Sequence, residues 1–403
     1  MSKTKRKRIT VKNQQRLRRR ARPQMAPRNV QKYVEQVIGD DLHAMQVLSL
    51  GYGVVGVIHV ASLAIAAIGT GLAMARGLLP KHAIKQVDRL LSNKKIDPDI
   101  LMSKWVSFVI GEREEVFIAM DWTEFDPDNH STIALYLLTG HGRATPLMWQ
   151  TVSKAALKDQ RNDHEDKVLE RLHSMMPEGV RVTIIADRGF GDHKLYDFLE
   201  LRFGWDYIIR FREVIQVTSA KGESRPAREW LTPTGRAKMM RGVEVTQEGV
   251  PVPAVVLVHA KKMKDPWCLA TSRADLTASK VVKLYGKRFT IEETFRDQKD
   301  NHYGMGLYAT HIKDTARRDR LLFLAAMSHA LLTMLGAACE ETGLDRMLRA
   351  NTVKRRTHSL YRQGTTAYGM LPMMPEDWLE PLMEAFGRIV QEHQVTNEIF
   401  GII

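Results

Sequence analysis

A few residues in this 403-residue chain have types and spacings that can do chemistry on phosphate. Asp121 and Asp187 each close a short apolar run, residues 116–120 and 182–186, and Glu292 lies in a stretch of helical character. Three carboxylates can supply oxygen ligands to hard divalent cations. Mg²⁺ is typically held by one or two of them, with water and substrate phosphate completing its octahedron. Two such ions about 3.5–4 Å apart clamp the attacking and leaving oxygens of an in-line phosphoryl displacement. Tyr285, Arg288, Glu292 and Lys299 fall within about 60° of one another on a helix turning about 100° per residue. One acid on a face with an aromatic and two cations suits a site that grips phosphates beside the bond being broken. The same stripe also reads as a solvated charged face with an i,i+4 pair between Arg288 and Glu292, and the spacing alone does not separate the two.

The elements that must position these residues follow from hydropathy. Residues 116–120, 132–138 and 144–149 read as three strands, and a polar helical stretch spans about 163–176. Residues 182–186 and 206–211 read as two further strands around a helix near 194–202. The order β-β-β-α-β-α-β is that of a mixed sheet opening with an antiparallel meander. Two strands then each deliver an aspartate at a carboxyl end, where open α/β sheets place their sites. Residues 212–275 shift to polar alternation with Gly and Pro and are expected to form a β-rich insertion ending near Trp267. One long helix is expected from about Thr277 through Lys299. Residues 30–108 read as a helical domain with a basic helix carrying Lys81, Lys85 and Arg89, either phosphate contacts or a solvated face. Residues 52–74 carry no formal charge and are long enough to span a bilayer. His59 and four glycines within them favour a buried helix pair, and no membrane is expected. An apolar helix at 321–339 returns to the core, and residues 331–403 form a helical C-terminal region. The expected fold class is α/β: a mixed-sheet catalytic core at 109–330 flanked by helical N- and C-terminal regions.

Charge narrows the partners. The chain carries a formal +14, and eleven of its positive residues fall within the first 22 without one acid. Residues 1–29 are expected to be a disordered polycation, since they cannot bury enough apolar area to fold. Its natural partners are polyanions, although a solubilising terminus has the same composition. Hydrophobic residues at 44% exclude disorder and collagen for the chain as a whole. Two cysteines are too few for a disulfide framework and the basic start lacks the apolar core of a signal peptide. Fourteen histidines show no zinc-ligand spacing.

The spacing Tyr285-x2-Arg288-x3-Glu292-x6-Lys299 matches the YREK signature of the IS-four family of bacterial insertion-sequence transposases, and the chain resembles that family over about residues 45–390. The segments FIAMDWTEF around Asp121 and TIIADRGFGD around Asp187 resemble its two aspartate regions, and IEETFRDQK followed by YGMGL carries the same likeness. The resemblance implies an RNase H-like DDE core and cut-and-paste DNA transposition through end nicking, hairpin formation and resolution, and strand transfer. It implies that Asp121, Asp187 and Glu292 are the catalytic residues and hold Mg²⁺, or Mn²⁺ as a substitute, as two ions per site. Tyr285, Arg288, Lys299 and Arg188 would contact DNA. Trp267 resembles the base-stacking tryptophan, though a core tryptophan closing the insertion reads the same. His141 and Arg143 in TGHGRATP resemble a segment near the site. The partners implied are double-stranded DNA, as terminal inverted repeats and target, and a second copy of the chain in a synaptic homodimer. A cytoplasmic, nucleoid-associated protein is expected.

Overall fold

Residues 115–125, EVFIAMDWTEF, are rich in β-branched and aromatic side chains and mostly buried, and they form strand β1 (Glu115–Phe125). The computed structural model describes residues 25–39, 42–302, 304–392 and 399–400, so the basic stretch at 1–22 lies outside the described residues. β1 turns at Asn129, whose φ of 56° lies in the left-handed region that Asn tolerates. It pairs antiparallel with β2 (His130–Leu137), which pairs with β3 (Thr145–Ser153). Helix α6 (Arg161–Met175) then leads to β4 (Arg181–Ala186), parallel to β1. The single turn α7 (His193–Asp197) precedes β5 (Asp206–Phe211), parallel to β4. These five strands lie in the order β3-β2-β1-β4-β5.

The β-rich stretch at 212–275 supplies β6 (Gln216–Thr218), β7 (Ser224–Pro226), β8 (Lys238–Val245), β9 (Val250–Val258) and β10 (Trp267–Thr271). It differs from a separate insertion in one respect: β10 pairs directly with β5, Cys268 opposite Phe211, and the sheet runs on as β10-β9-β8-β6-β7 to ten strands. Cys268, Leu269, Ala270 and Thr271 are all buried. β10 is thus an interior strand, its backbone paired with β5 on one edge and β9 on the other.

Chain contacts divide the molecule into two units. One, Met102–Lys299 with His311–Asp319 and Phe400, holds the sheet. There the Thr151 amide of β3 donates to both carboxylate oxygens of Asp319, at 3.1 and 3.3 Å. Burial pushes the Asp319 carboxyl up from 3.8 to about 7. The folded chain therefore keeps a proton that the unfolded chain releases, and this group's stabilisation is full below pH 4 and lost as pH rises toward 7. Asp319→Asn should consequently gain on the wild type by about 1–3 kcal/mol between pH 5 and pH 8, read as urea midpoints. A difference that does not change with pH would show that the carboxyl titrates normally.

The other unit gathers the residues up to Leu101, Asp300–Thr310 and Arg320–Ile399. Its helices include α1 (Pro27–Ile38), α2 (Ala44–Val60), α3 (Ile65–Arg76) and α4 (Pro80–Ser92), with the start of α5 (Pro98–Ile110). The uncharged stretch at 52–74 is the pair α2 and α3, bent by 94°. Gly56 makes that approach possible, because a Cβ there would stand 2.5 Å from the Ile68 carbonyl oxygen. On α4, His82, Lys85, Gln86 and Arg89 face Met45, Gln46 and Ser49 of α2 across an open groove. Helix α10 (Thr315–Glu341) begins in the sheet unit and contributes most of its length here. It is long and apolar enough to cross a membrane, and 94% of its most apolar window is buried within the protein. Helices α11 (Leu360–Met370) and α12 (Glu376–Gln391) complete the unit.

Candidate active site

Parallel pairing of β1 with β4 ends at Met120 opposite Ala186. The next residue on each strand is an aspartate. Asp121 and Asp187 therefore follow in register on neighbouring strands, which in any sheet run about 4.8 Å apart. β1 does not stop there: Asp121 still pairs with Ala134 of β2, so its backbone is held on one side while its side chain stands at the end of the parallel ladder. Asp187 keeps an extended backbone (φ −83°, ψ −177°), and its Oδ1 then accepts the Gly189 amide at 2.7 Å, turning the chain. Arg188, at the start of that turn, is exposed, and Phe190 anchors the turn in the core.

The third acid comes from a helix that the sequence reads as continuous and the structure breaks. Helix α8 (Ala278–Lys287) ends one residue before Arg288, and α9 (Thr290–Lys299) begins two residues after it. The break has a local cause. The Thr290 hydroxyl donates to the Lys287 carbonyl at 2.7 Å, and the Ile291 amide donates to the Arg288 carbonyl instead, at 3.0 Å. Ile291, Thr294, Phe295 and Gln298 form the buried face of α9, leaving Glu292 about half exposed on another.

Arg288, at the break, joins the acids. It is 5% exposed, its Nη1 lies 3.1 Å from Asp121 Oδ2, and its Nη2 lies 2.8 Å from Glu292 Oε1. Burial opposes the Arg288 charge, but Asp121, Tyr285, Glu292 and Asp187 outweigh it and raise its pKa. Asp121 is pushed up to about 6, first by burial and then by the neighbouring Asp187 and Glu292 carboxylates, against the pull of Arg288. The cluster thus carries more negative charge than one guanidinium neutralises.

An aromatic group lies alongside. Tyr285 of α8 is fully buried, and Trp267, the first residue of β10, meets it edge-on with ring centres 4.8 Å apart. Phe289 lies 5.9 Å from Trp267, is 39% exposed and carries the Arg288 guanidinium 4.7 Å from its ring centre. Trp267 is only half-buried. Arg210, which the sequence reading passes over, belongs to the same neighbourhood: its Nη2 donates to the Pro266 carbonyl at 3.0 Å, and its charge acts on Tyr285. Burial raises the Tyr285 pKa while Arg288 and Arg210 work against that rise. The available signal was a cation following the apolar run Tyr207-Ile208-Ile209 within the strand DYIIRF.

Lys299, the last residue of α9, reaches the end of β1, where the Asp121 charge acts on it. Its Nζ donates to the Glu124 carbonyl at 2.8 Å and sits 4.6 Å from the Phe125 ring centre, and burial lowers its pKa to about 8. Of the sequence candidates, Asp121, Asp187, Arg288 and Glu292 are thus brought together with Tyr285 and Trp267 beside them. Lys299 is held at the end of β1, within reach of the Asp121 charge.

Among the described residues, no three His, Cys, Asp or Glu side chains stand close enough to hold a metal as a group. Mg²⁺ does not require three, since one or two carboxylates with water and phosphate suffice. Hard oxygen donors and three carboxylates against the one Arg288 guanidinium fit a divalent cation.

Residues 145–331, just under half of the chain, match the family model described as a transposase DDE domain. The matched span opens at β3, includes Asp187 and Glu292 and ends within α10, while Asp121 precedes it. No curated protein matches the chain. The match supports a DDE transposase, and the mixed sheet with helices at both ends is consistent with such a domain.

Proposed function

We propose that this chain is a DNA transposase of the IS-four kind, moving its element by cut-and-paste through successive phosphoryl transfers at one carboxylate site. The observation that carries the reading is the in-register placement of Asp121 and Asp187, with Glu292 tied to Asp121 through Arg288. The meander β3-β2-β1 continued by parallel β4 and β5 supports an RNase H-like core.

On this reading Asp121, Asp187 and Glu292 hold Mg²⁺, or Mn²⁺ in its place, as two ions. When bound, the ions stabilise charge building on the phosphate oxygens and favour the deprotonated nucleophile. Arg288, Arg210 and Arg188 meet the phosphates flanking the scissile bond, buried Tyr285 backs Trp267 and Arg288 from the core, and Lys299 holds the end of β1. Water first bonds to phosphorus as the bond to O3′ breaks, freeing a 3′-OH at the element's end. That hydroxyl attacks the opposite strand, closing a hairpin. Hydrolysis reopens it, and the 3′-OH joins target DNA. Each step exchanges one phosphorus–oxygen bond for another, so no external energy source is required. Lys85 and Arg89, on the groove between α2 and α4, suit duplex backbone, and a second copy of the chain holds the other end.

A hairpin forces a terminal base out of the stack, at a cost of a few kcal/mol that an aromatic platform offsets by about 1–3 kcal/mol. Trp267, half-buried beside the acids, suits that platform. Trp267→Ala should slow hairpin formation much more than first-strand nicking, and equal loss of both steps would remove the stacking role. The reading as a whole is tested with duplex carrying the element's ends and Mg²⁺ on a denaturing gel. Nicks followed by hairpins are expected. End-specific binding without any cleavage would instead mark a DNA-binding protein.

A further inference from the structure

The loop at residues 138–144, between β2 and β3, holds the broken helix on both sides of its break. Before the break, Lys287 Nζ donates to the Thr139 carbonyl at 3.3 Å. After it, the Ala144 amide donates to the Thr290 carbonyl at 3.2 Å, and the Thr294 hydroxyl donates to the Ala144 carbonyl at 2.8 Å. Arg143 adds the charged grip. Its Nε and Nη2 reach the two carboxylate oxygens of Asp297 at 2.5 and 3.3 Å, and its Nη1 lies 3.7 Å from Glu293. The loop is closed on itself, the Thr139 hydroxyl donating to the Arg143 carbonyl and accepting the His141 amide at 3.2 Å.

The side of α9 that Arg143 takes is informative. At about 100° per residue, Glu293 and Asp297 lie roughly 100° and 140° around the helix from Glu292. Arg143 therefore grips a face turned away from the acids and is no member of their cluster. Its side chain is 20% exposed and that of Asp297 is 12%, so the forked pair is largely shielded from solvent. A guanidinium bonded through two nitrogens fixes direction as well as distance, which a lysine cannot do.

We propose that Arg143 is a positioning residue: through Asp297 and Glu293 it sets where α9 presents Glu292, and with it Arg288, relative to Asp121. This rests on the reading that Glu292 holds a metal ion. The test uses the full chain with duplex DNA and follows Mn²⁺ binding through the paramagnetic resonance of the free ion, with single-turnover nicking and melting temperature measured in parallel. Arg143→Ala should weaken Mn²⁺ binding and slow nicking at saturating DNA, each by about 10–100-fold, with DNA affinity unchanged. Asp297→Asn should reproduce the loss and Arg143→Lys should recover only part of it. Weakened DNA binding with Mn²⁺ affinity intact would make Arg143 a DNA contact and overturn the proposal. A lower melting temperature with both other readouts unchanged would overturn it as well. Were the wild type to bind Mn²⁺ no better than Glu292→Gln, the metal reading would fall instead. A geometric readout would then decide: the rate at which a short bis-thiol reagent links Asp121→Cys to Glu292→Cys, the native Cys268 and Cys339 being buried. Arg143→Ala should slow that linkage, and an unchanged rate would overturn the proposal.

Discussion

Replacing Glu292 by Gln should abolish DNA cleavage while leaving the protein folded and able to bind DNA. The side chain is 48% exposed, and Arg288 is its one ion-pair partner among the described residues, so it contributes little to stability. Gln keeps the shape and still offers an oxygen to Arg288. What it loses is the charge, in a cluster whose work on this reading is to hold cations against phosphate. A loss of about 10³-fold or more in single-turnover nicking, equivalent to about 4 kcal/mol, is the expected size. Retained cleavage would remove Glu292 from the site. Loss of cleavage together with a lower melting temperature would make it a structural residue. The comparison is decisive because the same substitution separates chemistry from binding in one experiment.

The second large effect lies far from the acids in sequence. Helices α10 and α11 cross where Gly336 meets Gly364. A Cβ built on Gly364 would lie 1.7 Å from the Leu332 carbonyl oxygen, and one on Gly336 would lie 1.9 Å from that of Leu360. Both obstacles are backbone, so no change of rotamer relieves them and the helices must move apart. Gly364→Ala should therefore destabilise its unit by about 3 kcal/mol, read from urea unfolding. Gly369, on the same helix with open space around it, supplies the control. There Ala should be neutral or stabilising by about 0.5–1 kcal/mol, because helical Gly costs backbone entropy. Equal responses at the two positions would show that helix propensity and not the crossing sets the effect.

The strands of the site are legible because each is a short apolar run, and the two aspartates stand out as charges closing such runs. Their register is not legible: that Met120 faces Ala186 follows from pairing between residues far apart in sequence. The stripe Tyr285, Arg288, Glu292 and Lys299 reads as one helix face because residues 278–299 contain no proline. The break at 288–289 comes from the Thr290 hydroxyl and from the 138–144 loop, neither of which has a periodic signature. The break leaves Glu292 and Lys299 on one helix, α9, and sets both off from Tyr285 on α8, while Lys299 reaches the Glu124 carbonyl. Arg210 escapes notice because its meaning depends on β10 lying against β5, bringing Pro266 and Trp267 to it across some sixty residues of sequence. Composition alone shows that 212–275 is β-rich. It cannot show that these strands extend an existing sheet.

The division of one unit among three separate stretches of chain bears on synthesis. Helix α2 is among the first elements made, yet its Gly53 packs against Leu324 and its Val54 carbonyl accepts the Ser328 hydroxyl at 3.5 Å, both partners on α10. At roughly 5–20 residues per second, α2 waits on the order of 10–50 s for that helix to be made. Through that interval an apolar helix without its partner is an open target for chaperones and for aggregation. The sheet unit waits almost as long, since Asp319 closes its contact with β3 only when residue 319 has been added. A nascent chain released before that point completes neither unit.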